Sequence, residues 1–155
     1  MRIYLAAAVL VALALPVLAA AKGPVGASIS GPGLDRALSV RGDGEGPGTA
    51  LGNLTMASGF FAQTFGQTPD PTLRTRPAGT LGARYRVVYT VPGPNGSDSR
   101  IVQLVYPYAK PVALSYMRAG QPFFDGDSTF GGWFRASKEL RRMLVRAGLP
   151  AKPSA

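Results

Sequence analysis

The run Arg84-Tyr85-Arg86-Val87-Val88-Tyr89-Thr90-Val91 alternates with a period of two. Tyr85, Val87, Tyr89 and Val91 fall on one face of such a strand, and Arg84, Arg86, Val88 and Thr90 on the other. Dense turn chemistry follows, from Pro92 through Gly93-Pro94-Asn95-Gly96 to Asp98, and then a second β-rich run from Arg100 to Tyr106 that Pro107 ends. The pattern predicts an antiparallel hairpin, 84–91 paired with 100–106, across a long connection. A hairpin with one aromatic, β-branched face is stable only when further strands and a second layer cover that face.

The remaining chain supplies both. Short strands are expected at 27–30, 37–41 and 112–117, with a last one near the Gly131-Gly132-Trp133-Phe134-Arg135 run. Thr49 is a plausible N-cap for a helix running to Ser58, and Gly59 suits the position just past its end. Phe60, Phe61 and Phe65 read as a core wedge or a second short helix. Near the C-terminus Ser137 caps a helix, 138–147. Leu140, Met143, Leu144 and Ala147 form its apolar stripe, and Gly148 with Leu149 closes it in a Schellman arrangement. The expected fold is α+β: an antiparallel sheet of about four to five strands built on the hairpin, with helix 138–147 and the helix near 50–58 packed on it. Two loops stand out. Gly42 to Gly48 is glycine-rich and reads as flexible. Residues 66–82 hold Pro69, Pro71 and Pro77, and their length makes them a candidate functional surface.

The N-terminus reads as a secretory signal peptide over residues 1–21. Arg2 is the positive n-region, and Ile3 to Leu18 is almost unbroken apolar sequence. Ala19-Ala20-Ala21 then offers the small-x-small pattern a signal peptidase cuts after. Cleavage after Ala21 takes 21 of 155 residues and leaves 134. Cleavage after Ala19 and an uncleaved anchor helix are the competing readings. After cleavage no transmembrane segment is expected, and without cysteine no lipid-modified N-terminal cysteine is possible. The organisation is then signal 1–21, flexible leader 22–26, one domain over 27–150 and a tail 151–155, secreted and monomeric.

Composition excludes several chemistries. The chain has no cysteine and no histidine. It therefore forms no disulfide, and no Ser-His-Asp or Cys-His catalysis, histidine zinc site or haem ligation by those residues is possible. No phosphate-binding glycine loop with its lysine is present. No cofactor is expected.

Eight acidic residues remain. Asp125 and Asp127, around Gly126, form the one local pair and a weak calcium candidate that lacks a closing glutamate. With Asp70 they are the carboxylates an enzyme would have to use. Against them stand 13 arginines and 4 lysines and a formal charge of +9, of which only Arg2 leaves with the signal. Part of this arginine excess matches the Ala-, Gly- and Pro-rich composition of a GC-rich coding bias. The best binding candidate is the basic side of the terminal helix: Lys138, Arg141, Arg142 and Arg146, preceded by Arg135. Arg41-Gly42-Asp43, and the glycosylation patterns at Asn53 and Asn95, occur often by chance. Trp133 reads as core.

Several runs resemble a small family of exported actinobacterial proteins with no assigned activity. They are Phe65 to Pro71, Tyr89 to Gly96, Tyr106-Pro107-Tyr108-Ala109, Gly120 to Gly126, and Gly132-Trp133-Phe134-Arg135. The resemblance covers roughly residues 28–150. It implies export and a single domain, and brings no ligand or catalytic residue.

The function expected is that of an exported, non-enzymatic binding domain acting on anionic envelope polymers or lipid head groups, with no specific nucleic-acid partner. A small secreted enzyme using Asp70, Asp125 and Asp127, and a secreted protein inhibitor, are the alternatives.

Overall fold

The structure is a computed structural model and describes residues 23–124 and 126–152. The expected signal segment 1–21 and Asp125 lie outside the described residues, as do the last three positions of the tail. The fold is α+β, as expected from the sequence. The strands of the main sheet are β1 (Gly26–Ser30), β2 (Leu38–Arg41), β3 (Tyr85–Pro92), β4 (Asp98–Tyr106), β5 (Leu114–Met117) and β8 (Gly132–Arg135). They form one six-stranded sheet in the order β2-β1-β3-β4-β5-β8, antiparallel throughout. A two-stranded piece, β6 (Pro122–Phe123) with β7 (Asp127–Ser128), sits between β5 and β8 in sequence. Among the described residues, no helix is long and apolar enough to cross a membrane.

The hairpin is the centre of the sheet. Tyr85, Val87, Tyr89 and Val91 are all buried, and Ile101, Gln103 and Val105 of β4 join them on the same face. Asn95 takes a left-handed φ of 60° in the connecting turn, a conformation asparagine tolerates better than most residues. Three helices cover this face: α1 (Ala50–Ser58), α2 (Phe60–Phe65) and α3 (Glu139–Ala147). Thr49 caps α1 by accepting from the Gly52 amide at 2.9 Å. Gly59 has φ 73° and joins α1 to α2, and a Cβ there would collide with the Phe134 ring. Leu140 and Leu144 anchor α3, each worth about 1.5–3 kcal/mol of apolar burial. Gly148 and Leu149 close α3 through amide bonds to Val145 and Leu144.

The glycine-rich loop is pinned rather than loose. Gly44 is buried, its carbonyl accepts from Thr55 Oγ1 at 2.7 Å, and Gly46 packs so close to α1 that only glycine fits at Gly52. Residues 23–26, read above as a leader, are bonded in beside it. The Gly23 amide donates to the Glu45 carboxylate, Gly44 N to Pro24 O, and Val25 N to Thr90 O.

A buried polar cluster fastens the helices to the sheet. Gln103 Nε2 donates to the Ser58 carbonyl at 3.0 Å and to Gln63 Oε1 at 2.6 Å, while Gln103 Oε1 accepts from the Tyr89 hydroxyl at 2.9 Å. Ser115 Oγ donates to the same Ser58 carbonyl at 2.6 Å, and Gln63 Nε2 to the Gly132 carbonyl at 2.8 Å. The group spans α1, α2, β3, β4, β5 and β8. Such a cluster stabilises only when every member is satisfied, and it then fixes one arrangement of the layers.

Gln121 plays the part of a missing strand. β5 stops pairing at Met117, and the Gln121 side chain takes over on β4, accepting from Val102 N and donating to Val102 O, each at 2.8 Å.

Candidate functional site

Lys138, Arg141, Arg142 and Arg146 are exposed on or beside α3. Helical spacing places 138, 142 and 146 on successive turns, with 141 alongside. Burial of Leu140 and Leu144 turns this side outward. Arg141, Arg142 and Arg146 converge with Val145 and Ala151 on one open cleft of about 430 Å³. Arg141 is held by two contacts. Its guanidinium lies 5.1 Å from the Tyr108 ring centre, and Nη2 donates to the Ala151 carbonyl at 3.1 Å. Arg142 pairs with Glu139 one turn earlier, an exposed ion pair that contributes little to stability. It is the one ion pair among the described residues.

Arg135 does not join this group. It pairs in register with Leu114 and shares the side of β8 that Trp133 presents, whereas α3 packs on the opposite face of the sheet. Trp133 is half-buried there, its ring 4.9 Å from that of Tyr116 and 5.7 Å from that of Tyr106.

The carboxylates are placed as local structure. The exposed Asp70 accepts from both the amide and the hydroxyl of Thr72, each at 2.8 Å, and these bonds hold its carboxyl below the ordinary range. Asp127 is exposed on β7, opposite Phe123. Neither lines the clefts beside α3. Among the described residues no three acidic side chains gather as a metal site would require.

The long loop 66–82 runs along the sheet. Leu73 exchanges both backbone bonds with Trp133 at 2.8 Å, covering the β8 edge, and the Lys110 amide donates to the Thr80 carbonyl at 2.9 Å. Leu81, with Val112 from the β4–β5 connection, then packs over Tyr106, Leu114, Tyr116 and Trp133 as a second, smaller core.

The loop leaves the β2-β1-β3 end of that face uncovered. Arg41 and Arg86 are exposed on it, and Arg100 beside it on β4, at positions that alternate with the half-buried Val40 and the buried Val87 and Ile101. Sequence reasoning missed these arginines as a group. The alternation of β3 marked Arg86 as outward, but only the cross-strand register shows which outward residues are neighbours.

Compared with known proteins, the chain matches no family model, no curated protein and no solved structure.

Proposed function

We propose that the chain is an exported, non-enzymatic domain that binds anionic partners through the basic side of α3. Those partners carry phosphate or carboxylate groups, on envelope polymers or on lipid heads. The carrying observation is the cleft where Arg141, Arg142 and Arg146 meet. Guanidinium presents a planar fork of donors that matches carboxylate and phosphate oxygens, and it stays charged at every physiological pH. Arg141 is preorganised by Tyr108 and Ala151, so less side-chain freedom is lost when it meets a ligand. Leu140 and Leu144 are buried in the core and Met143 packs against it, leaving only Ala147 of the apolar stripe exposed, so binding rests on charge and not on insertion of the helix into lipid. Export is supported by the Arg2 n-region, the apolar run to Leu18 and the Ala19-x-Ala21 pattern.

Sedimentation of the purified protein with cell-wall fragments and, separately, with vesicles containing or lacking an anionic lipid tests this reading and separates the two sources. Binding that falls with salt and is lost in the Arg142→Glu, Arg146→Glu double variant supports it. Binding that is indifferent to salt and to the double variant overturns it.

A further inference from the structure

We propose that the uncovered sheet face carries a second, independent site, an oxyanion clamp formed by Arg41 and Arg100 and built for a phosphate group. The register aligns one row across four strands. Arg41 of β2 lies opposite Gly26 of β1, Gly26 opposite Thr90 of β3, and Thr90 opposite Arg100 of β4. At an inter-strand spacing of about 4.8 Å, the two arginines stand about 14 Å apart at their Cα atoms. Between them Gly26 has no side chain, which opens a gap in the row. Arg41 and Arg100 both line the resulting hollow of about 270 Å³, whose floor is Gly26 and Thr90 and whose next row is Ser39, Ser28 and the apolar Val88.

The chemistry of this hollow favours a tetrahedral oxyanion. No acidic residue lines it, and neither arginine is in an ion pair among the described residues. Donors approach from two opposite sides as guanidinium groups, and from the floor as the hydroxyls of Ser28, Ser39 and Thr90. A planar carboxylate is satisfied by one guanidinium fork. A phosphate turns oxygens in several directions and can use both forks and the hydroxyls together. The site faces away from α3, so it needs nothing from the reading given above for that helix.

Glycine at position 26 provides a test that leaves the charge unchanged. A Cβ there would have only the Val40 carbonyl within reach, at 3.8 Å, and Gly26 does not adopt the left-handed backbone that favours glycine. Gly26→Leu should therefore be accepted by the strand, and its side chain would fill the hollow. The experiment is calorimetric titration of the protein with inorganic phosphate, then with glycerol phosphate and with a poly(glycerol phosphate) chain. The proposal expects saturable phosphate binding in the parent protein. It also expects an affinity about tenfold or more lower in Arg41→Gln and in Arg100→Gln, and loss of binding in Gly26→Leu with its thermal stability retained. The component of binding that Gly26→Leu removes should persist in Arg142→Glu with Arg146→Glu. Tighter binding of the polymer than of glycerol phosphate would assign the phosphate to a polymeric source, and equal binding to a free ester. Phosphate binding that is absent, or equal in the parent protein and the three sheet variants, overturns the clamp, while the reading of α3 is decided separately by the sedimentation experiment.

Discussion

Tyr89 and Gln103 are joined by a 2.9 Å hydrogen bond, although neither is the other's partner in register. Tyr89 lies opposite Ile101, and Gln103 opposite Val87, so the bond runs diagonally across β3 and β4 on the buried face. Ser58 Oγ, 3.2 Å from the tyrosine oxygen, ties the same point to the end of α1. Both residues are fully enclosed, which makes each bond costly to lose.

Gln103→Leu should therefore destabilise the fold by about 3 kcal/mol. It removes three hydrogen bonds and leaves Gln63 Oε1 and the Tyr89 hydroxyl short of a partner in the interior. Urea denaturation measures it. A loss below about 1 kcal/mol would mean the cluster is not the fastening described here.

Tyr85→Phe should act in the opposite direction. Tyr85 is buried on the same face, but its hydroxyl has no hydrogen-bond partner among the described residues. Removing an unsatisfied buried hydroxyl keeps the ring and should stabilise by about 1 kcal/mol. The same denaturation experiment reports it, and a destabilisation would show that the hydroxyl is satisfied in solution.

Burial pushes the ionisation of both tyrosines above the ordinary value of 10.0. A group whose pKa is raised on folding leaves stability untouched below its unfolded value and removes it above. Stability should be flat up to about pH 10 and then fall, by about 1.4 kcal/mol per pH unit for the fully buried Tyr89 until its folded-state pKa is reached, with Tyr85 adding to the fall in the same direction. Denaturation series at rising pH should show this fall, and Tyr89→Phe should reduce its slope by about one proton's worth. An equal slope in that variant would place the alkaline transition elsewhere.

Gly59→Ala tests the α1–α2 junction. The left-handed backbone alone costs a residue with a Cβ about 1–2 kcal/mol, and the collision with Phe134 adds to it. A loss above about 2 kcal/mol is expected, and Gly48→Ala is the control. Gly48 also has positive φ, but no atom lies within reach of an added Cβ, so the backbone term stands alone.

Local signals made much of this fold legible. The period of two in β3 placed Tyr85, Val87, Tyr89 and Val91 inward, and the Leu140 and Leu144 spacing placed the buried side of α3. Thr49, Gly59 and Gly148 mark helix ends because capping depends on a few neighbouring residues. What was not legible depends on register between distant segments. Gln63, Gln103 and Ser115 look like ordinary polar residues until three elements bring them together. The Arg41-Gly26-Thr90-Arg100 row is likewise invisible in a chain where its members are up to 74 positions apart. Arg135 shows the converse: it adjoins the basic helix in sequence, yet the strand it belongs to turns it to the other face.

The central claim is that this domain binds anionic surfaces by the arginines of α3. Its most direct test is the salt dependence of sedimentation with wall fragments or anionic vesicles, comparing the parent protein with the Arg142→Glu, Arg146→Glu variant. The account predicts binding that weakens steadily with added salt and falls sharply in the variant, while the variant's fold stays unchanged. Equal binding by the two proteins at every salt concentration would contradict it.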